Sequence, residues 1–349
     1  MHSVLSMAAL LLFSTSSAIG AQQQQYPWLA NDAAAPMLAL LSPSPASSPL
    51  QTTALESVHE GVRRALAALP SEHLEGLHEL VSAHTEGPLR QIELVLPASD
   101  DSQARVELVE LQDGAKELLR LAGVRFVDIT DAYGATDADA TTTKTGFDGT
   151  KPLQYRAKTL SPVFELLSLD RMRDFLTKYS DTSRFRNRYY RASTGVDAAH
   201  FLMGEIKREI EGIEGASARF FEHTGFPQPS IIVRFEPTVP ANESGITLVS
   251  AHLDSTNLLP FLAAPGADDD GSGTTTLLES LRALAHPATS MLGGLFSNRT
   301  KPVEMHWYAA EEGGLLGSQQ VAKDYAARGV KVDSMLQMVR HLRFTGSRD

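Results

Sequence analysis

Apolar residues recur at helical spacing over 51–69, where Leu55, Val58, Val62, Leu66 and Leu69 fall three or four apart, and a second amphipathic stretch runs from Glu72 to His84. Residues 91–97 (QIELVLP) and 105–111 (RVELVEL) alternate instead with the period of two of a strand. Residues 112–121 read as helix and 124–129 (VRFVDI) as a further strand, so the pattern up to here predicts a small α+β unit. A second series starts beyond residue 150. Helices are predicted around 161–179, 195–211 and 214–223, followed by short apolar runs of strand type at 230–235 (SIIVRF) and 246–251 (ITLVSA). A helix over about 271–285, a strand at 303–309, a helix over 318–328 and the start of a strand at 332–338 complete the order. Strands alternating with helices imply a largely parallel sheet with helices on both faces. Ligands of such sheets bind at the carboxyl ends of the strands.

Between these series the pattern breaks down. Residues 21–50 are rich in Gln, Ala, Pro and Ser and read as an extended linker that buries nothing. Residues 134–150 (GATDADATTTKTGFDGT) have almost no large apolar side chain and mark the domain boundary. At the N-terminus, the apolar run 4–13 is followed by small residues at Ala18 and Gly20, which is the spacing of a signal peptide cut after Gly20. The plan is therefore a signal peptide 1–20, a linker 21–50, an α+β unit 51–133, a linker 134–150, a larger domain 151–338 and a tail 339–349. A small folded unit between a signal peptide and a larger domain has the layout of a propeptide acting in cis; a permanent accessory domain is the alternative.

Composition narrows the chemistry. Hydrophobic residues make up 42% and charged residues 21%, enough to bury a core. With 31 basic and 42 acidic residues the net charge is −11, which argues against a nucleic-acid or anionic-membrane binder. No apolar run reaches the roughly 20 residues of a membrane span. Cysteine is absent, so disulfides, thiolate metal sites and cysteine nucleophiles are excluded, and any metal must be held by His, Asp and Glu. Sequons at Asn242 and Asn298 fit a secretory route and glycosylation.

Three clusters carry candidate chemistry, each at the end of a predicted strand or the start of a helix. His252 and Asp254 follow the strand 246–251; two apart in an extended segment, they point the same way, so Asp254 can hold the ring of His252. A histidine after a strand is, taken alone, more often structural. Asp268, Asp269 and Asp270 stand between glycines at the start of a helix. Capping accounts for one aspartate, and the surplus suggests a divalent cation. Glu311 and Glu312 follow the strand 303–309 and diverge, so one can ligate a metal while its neighbour faces a reacting water. Two solvated loop carboxylates are the alternative there. Together, His, Asp and Glu at successive strand ends suit hydrolytic zinc.

The segments His-Leu-Asp-Ser (252–255), Pro-Gly-Ala-Asp-Asp-Asp-Gly-Ser-Gly (265–273) and Tyr-Ala-Ala-Glu-Glu-Gly-Gly-Leu-Leu-Gly-Ser (308–318) strongly resemble the secreted two-zinc aminopeptidases of metallopeptidase family M28, in its fungal leucine aminopeptidase and bacterial leucyl aminopeptidase branch. Asn187-Arg188-Tyr189-Tyr190 and Thr194-Gly195 look like that branch too, and the resemblance runs from about 152 to 338. It implies a three-layer α/β fold with a mixed, mostly parallel sheet, and two Zn2+ per complete catalytic domain. His252 would bind one zinc and Glu312 the other, Asp269 would bridge them, Glu311 would be the general base and Asp254 would orient His252. The implied substrates are peptides with a free N-terminus, preferably bulky and apolar, acted on by a secreted monomer. The family pattern continues Leu-Gln-x-Asp-Met where this chain has Met335-Leu336-Gln337-Met338 and then Val339, and a later zinc-binding His is also missing. Residues 339–349 therefore read as a truncated or aberrant end, and the chain as written is expected to be inactive and poorly stable. Two alternatives are a glutaminyl cyclase-like enzyme with a single zinc and a catalytically dead secreted relative.

Overall fold

The computed structural model describes residues 34–41, 49–83, 87–96, 105–130, 157–239, 245–257, 259–286 and 299–338. The predicted signal peptide, the linker 134–150, the tail 339–349, Asn242 and Asn298 lie outside the described residues. The chain divides into two compact units, residues 1–130 and 131–349.

In the first unit, helices α1 (Ala34–Ala39), α2 (Pro49–Ala68) and α3 (Ser71–Ser82) precede strands β1 (Leu89–Leu96) and β2 (Arg105–Gln112), helix α4 (Ala115–Leu121) and strand β3 (Arg125–Asp128). The three strands form an antiparallel sheet in the order β2-β1-β3. The strand alternation places Ile92 and Leu94 in the interior, and the helical spacing buries Val58, Val62 and Leu66 on one stripe of α2. One difference from the sequence reading falls here. Within the stretch expected to be an extended linker, α1 forms, and Met37, Leu38, Leu40 and Leu41 are buried, because the apolar run MLALL is long enough for one turn of helix to present a packing face.

In the second unit, helices α5 (Ala157–Phe164), α6 (Leu169–Tyr179) and α7 (Ser193–Glu209) lead into strands β4 (Ala216–Phe221), β5 (Ser230–Phe235) and β6 (Ile246–His252). Helix α8 (Gly273–Ala285), strand β7 (Val303–Tyr308), helix α9 (Leu316–Ala327) and strand β8 (Val332–Gln337) follow. The predicted helix 161–179 is two helices, because Ser168 starts a new one: its hydroxyl accepts the Arg171 N–H at 3.3 Å. The predicted helix 214–223 is instead strand β4. Gly212 and Gly215 take left-handed φ angles of 74° and 72° after α7, and the residues beyond alternate and pair antiparallel with β5, Phe220 opposite Ile231.

The sheet order is β4-β5-β7-β6-β8. It is mixed: β4–β5 and β5–β7 are antiparallel, β7–β6 and β6–β8 parallel. The eight residues between β4 and β5 are too few for a parallel crossover, which fixes the first pairing as antiparallel. Helices cover both faces. Ile231, Val233, Phe235, Met305 and Trp307 pack with α6, α7 and α8, whereas Ile232, Ile246, Leu248 and Tyr308 pack with Val321 and Tyr325 of α9. The connection leaving β6 (α8) thus lies on one face and that leaving its neighbour β7 (α9) on the other. A crevice opens where adjacent strands send their connections to opposite faces, at their carboxyl ends.

Candidate active site

Both strand ends at that crevice carry polar residues the sequence singled out. His252 closes β6, fully buried, opposite Tyr308 of β7. Its main chain is held on both sides: the N–H donates to Asp270 Oδ2 at 3.0 Å and the carbonyl accepts the Thr274 hydroxyl at 2.8 Å. The ring then stands among three carboxylates. Nε2 lies 3.1 Å from Asp269 Oδ1 and 3.9 Å from Glu311 Oε2, and Nδ1 lies 3.4 Å from Asp254 Oδ1.

The three consecutive aspartates have three different surroundings. Asp268 is exposed. Asp270 is fully buried; besides accepting from His252, its Oδ1 accepts the Gly273 N–H at 3.0 Å and so caps the start of α8. Asp269, between them, departs from helical geometry with φ −107° and ψ 103°, and its carboxylate faces His252. The Asp269–Asp270 peptide is cis. Capping therefore accounts for one aspartate of the three, and the middle one is the carboxylate at the imidazole.

Beyond β7 the chain turns sharply. Ala310 has a positive φ of 53°, and the following amides of Glu311 and Glu312 donate to Asp254 Oδ1 and Oδ2 at 3.0 and 3.1 Å. Asp254 is fully buried and joins the end of β6 to the loop after β7. The sequence paired Asp254 with His252 but did not show this second connection, because it depends on strands far apart in the chain lying side by side. The Glu311 side chain is 31% exposed and that of Asp269 26%, so both reach the crevice from a buried base.

Electrostatics follow from this crowding. Burial pushes the Glu312 carboxyl up to about 8, with repulsion from Asp254 and Asp269 added, and burial raises Glu311 as well. Asp270 is pushed up to about 6, mainly by burial. Burial works against a charged His252 imidazole, yet the bonds to Asp254 and Asp269 outweigh it and hold the ring well above its usual range. An imidazole nitrogen with carboxylates beside it, and no thiolate, are donor types that suit a zinc ion. Arg188, within the Asn-Arg-Tyr-Tyr segment that resembles the family but was given no role from the sequence, and Tyr179, which the sequence did not single out, are both fully buried beneath this site.

Residues 230–339 match the model of peptidase family M28. The chain is 41% identical over 226 residues to a probable leucine aminopeptidase of Arthroderma otae, an alignment covering 64% of this chain and 59% of that protein. It is 39% identical over 225 residues to leucine aminopeptidase 1 of Aspergillus niger, covering 63% and 54%. The chain thus spans between a half and three fifths of the length of these curated relatives. Among solved structures, the LapA aminopeptidase of Legionella pneumophila superposes with a TM-score of 0.54 at 20% identity, covering 72% of this chain and 70% of that one, and LapB of the same organism with 0.53. The three-layer α/β arrangement is therefore a fold these proteins share. Residues 230–339 are thus similar to peptidase family M28, and more than three fifths of the chain is about 40% identical to fungal leucine aminopeptidases.

Proposed function

We propose that the chain carries a secreted zinc aminopeptidase domain that releases N-terminal residues, bulky apolar ones such as leucine, from peptides with a free N-terminus. The observation that carries this reading is the meeting of His252, Asp269 and Glu311 at the carboxyl ends of β6 and β7. The names of the 41% and 39% identical relatives support a peptidase rather than a glutaminyl cyclase. His252 and Asp269 would hold one zinc, and Asp269 and Glu312 the other. When bound, the metals supply polarisation of the scissile carbonyl and a more acidic attacking water. Asp254 keeps the imidazole and the glutamate loop in register. Glu311, partly exposed at the crevice, accepts the water's proton on its carboxylate and returns it to the leaving amine; burial raises its affinity for that proton toward the working range. The sequons at Asn242 and Asn298 belong to the same secreted reading. Residues 51–133 act as a propeptide in cis, a reading supported by the separate compact unit formed by residues 1–130.

Two protein ligands per metal fall short of the three usual at catalytic zinc, so metal content is the first measurement. Zinc bound near two per chain, hydrolysis of leucine p-nitroanilide, and a Glu311→Gln variant that keeps the metal but loses about 10²–10⁴-fold in turnover would bear out this reading against the expectation, drawn from the missing Asp and His, that the chain as written is inactive. Activity of Glu311→Gln within a few-fold of the parent removes Glu311 from the mechanism. A chain that neither binds zinc nor hydrolyses the anilide is a catalytically dead relative.

A further inference from the structure

We propose that Arg188 is a positioning residue for this site: a buried cationic clamp that fixes, through main-chain carbonyls alone, the two segments bearing His252, Asp254 and Asp269. This rests on the reading of His252 and Asp269 as metal ligands. Arg188 belongs to the Asn-Arg-Tyr-Tyr segment between α6 and α7 and is 1% exposed. Its guanidinium makes four hydrogen bonds, and every acceptor is a backbone oxygen. Nε donates to Leu253 O at 3.0 Å, Nη1 to Pro265 O at 2.6 Å and Tyr179 O at 3.3 Å, and Nη2 to Gly266 O at 2.9 Å. Leu253 is the residue between His252 and Asp254. Pro265 and Gly266 lead into the turn that carries Asp269.

The surroundings are built for this contact. The guanidinium lies 4.4 Å over the Tyr179 ring, and the Tyr179 hydroxyl donates to the same Leu253 carbonyl at 3.0 Å. The Arg188 main chain pairs with Ser255, its N–H donating to Ser255 Oγ at 3.0 Å. Gly266 has φ 49°, and a Cβ there would come within 2.7 Å of Arg188 Nη2 and 2.6 Å of Asp269 O, so glycine leaves the space that the clamp occupies.

A plain loop staple needs no charge. Burying a guanidinium is costly, and burial holds Arg188 below its ordinary pKa even though Tyr179, Asp254, Asp270 and Glu312 attract its charge and offset part of that cost. Arginine alone among the cations presents a planar fork that can reach Leu253 on one side and Pro265 and Gly266 on the other; lysine supplies the charge from a single point and cannot span both. The clamp therefore sets the separation of His252 from Asp269 while its positive charge makes a cluster of carboxylates tolerable before a metal arrives.

The test compares the full chain with Arg188→Lys and Tyr179→Phe by zinc dissociation constant, the absorption spectrum of the cobalt(II) form, and kcat and KM on leucine p-nitroanilide. Arg188→Lys is expected to weaken zinc binding about tenfold or more, shift the cobalt bands, and lower kcat about tenfold with KM little changed. Tyr179→Phe, which keeps the ring and the arginine, should move zinc affinity and the cobalt bands the same way by about threefold. A folded Arg188→Lys with zinc affinity, spectrum and kcat all within about twofold of the parent overturns the proposal. If Arg188→Lys does not fold, Tyr179→Phe decides alone, and unchanged affinity and spectrum overturn it. A parent chain that takes up no zinc instead removes the metal-site reading and the clamp with it, a result distinguishable from a defect confined to the variants.

Discussion

Both oxygens of Asp254 are committed, one to the Glu311 amide and one to the Glu312 amide, and Oδ1 also lies 3.4 Å from His252 Nδ1. A buried carboxylate engaged in this way acts by orientation. In Asp254→Asn one oxygen becomes an NH2 group that faces the amide N–H of Glu311 or of Glu312, so one contact becomes a donor–donor clash and the negative charge beside His252 is lost. The expected result is a 10–100-fold loss of zinc affinity or turnover, read by chelator competition and anilide hydrolysis. Parental values on both would show that Asp254 matters only for folding. The His252–Asp254 relation was legible from sequence because residues two apart on extended chain share a side. The grip of Asp254 on Glu311 and Glu312, and of Arg188 on Leu253, was not, since both contacts join segments more than fifty residues apart.

At the scale of elements, β7 shows what alternation can and cannot reveal. The sequence predicts a strand at 303–309; were that side of the sheet open to water, its polar members Glu304 and His306 would face solvent. They are buried instead, because α9 covers that side of the sheet. Glu304 accepts from Arg234 Nη1 at 2.7 Å, His306 Nε2 at 2.8 Å and the Tyr325 hydroxyl at 2.6 Å, which ties β5, β7 and α9 together. Burial opposes the charge on Glu304, but the bonds from His306, Tyr325 and Arg234 hold its carboxyl down at about 2. A carboxylate at about 2 when folded and 4.5 when unfolded contributes stability that is complete above 4.5 and lost as pH falls toward 2. Glu304→Gln should therefore destabilise the second unit by roughly 3 kcal/mol at neutral pH, and by progressively less below pH 4.5. Urea unfolding at pH 7 and pH 3 measures this; a deficit of equal size at both would mean the loss is one of packing, not charge. The β4 segment failed as a helix prediction for a related reason. ASARFF has period two as well as moderate helix-forming residues, and only the partner strand β5 decides between them.

For the whole molecule, the alternation of strands and helices beyond residue 150 was sufficient to predict a three-layer α/β unit, but not that half of its strand pairings are antiparallel. Pairing direction depends on the connections as well as on the order of elements. Each unit has buried apolar residues of its own: Leu55, Val58, Leu77, Ile92 and Leu118 in the first, and Leu202, Ile231, Leu277 and Trp307 in the second. His252, Asp269, Glu311 and Glu312 all come from the second. A ligand that binds only the folded form stabilises the part that holds it, by about 2.7 kcal/mol at a hundred times its dissociation constant. In a unit of roughly 200 residues this raises the midpoint by about 5–10 °C. Calorimetry of the full chain should therefore show two transitions, of which zinc raises one by that amount and a chelator returns it, while the other moves by less than about 1 °C. Limited proteolysis at each plateau identifies which unit has melted. If the transition of the first unit rises with zinc as far as the second, the two units unfold as one body. If neither moves, the carboxylates around His252 are not a metal site.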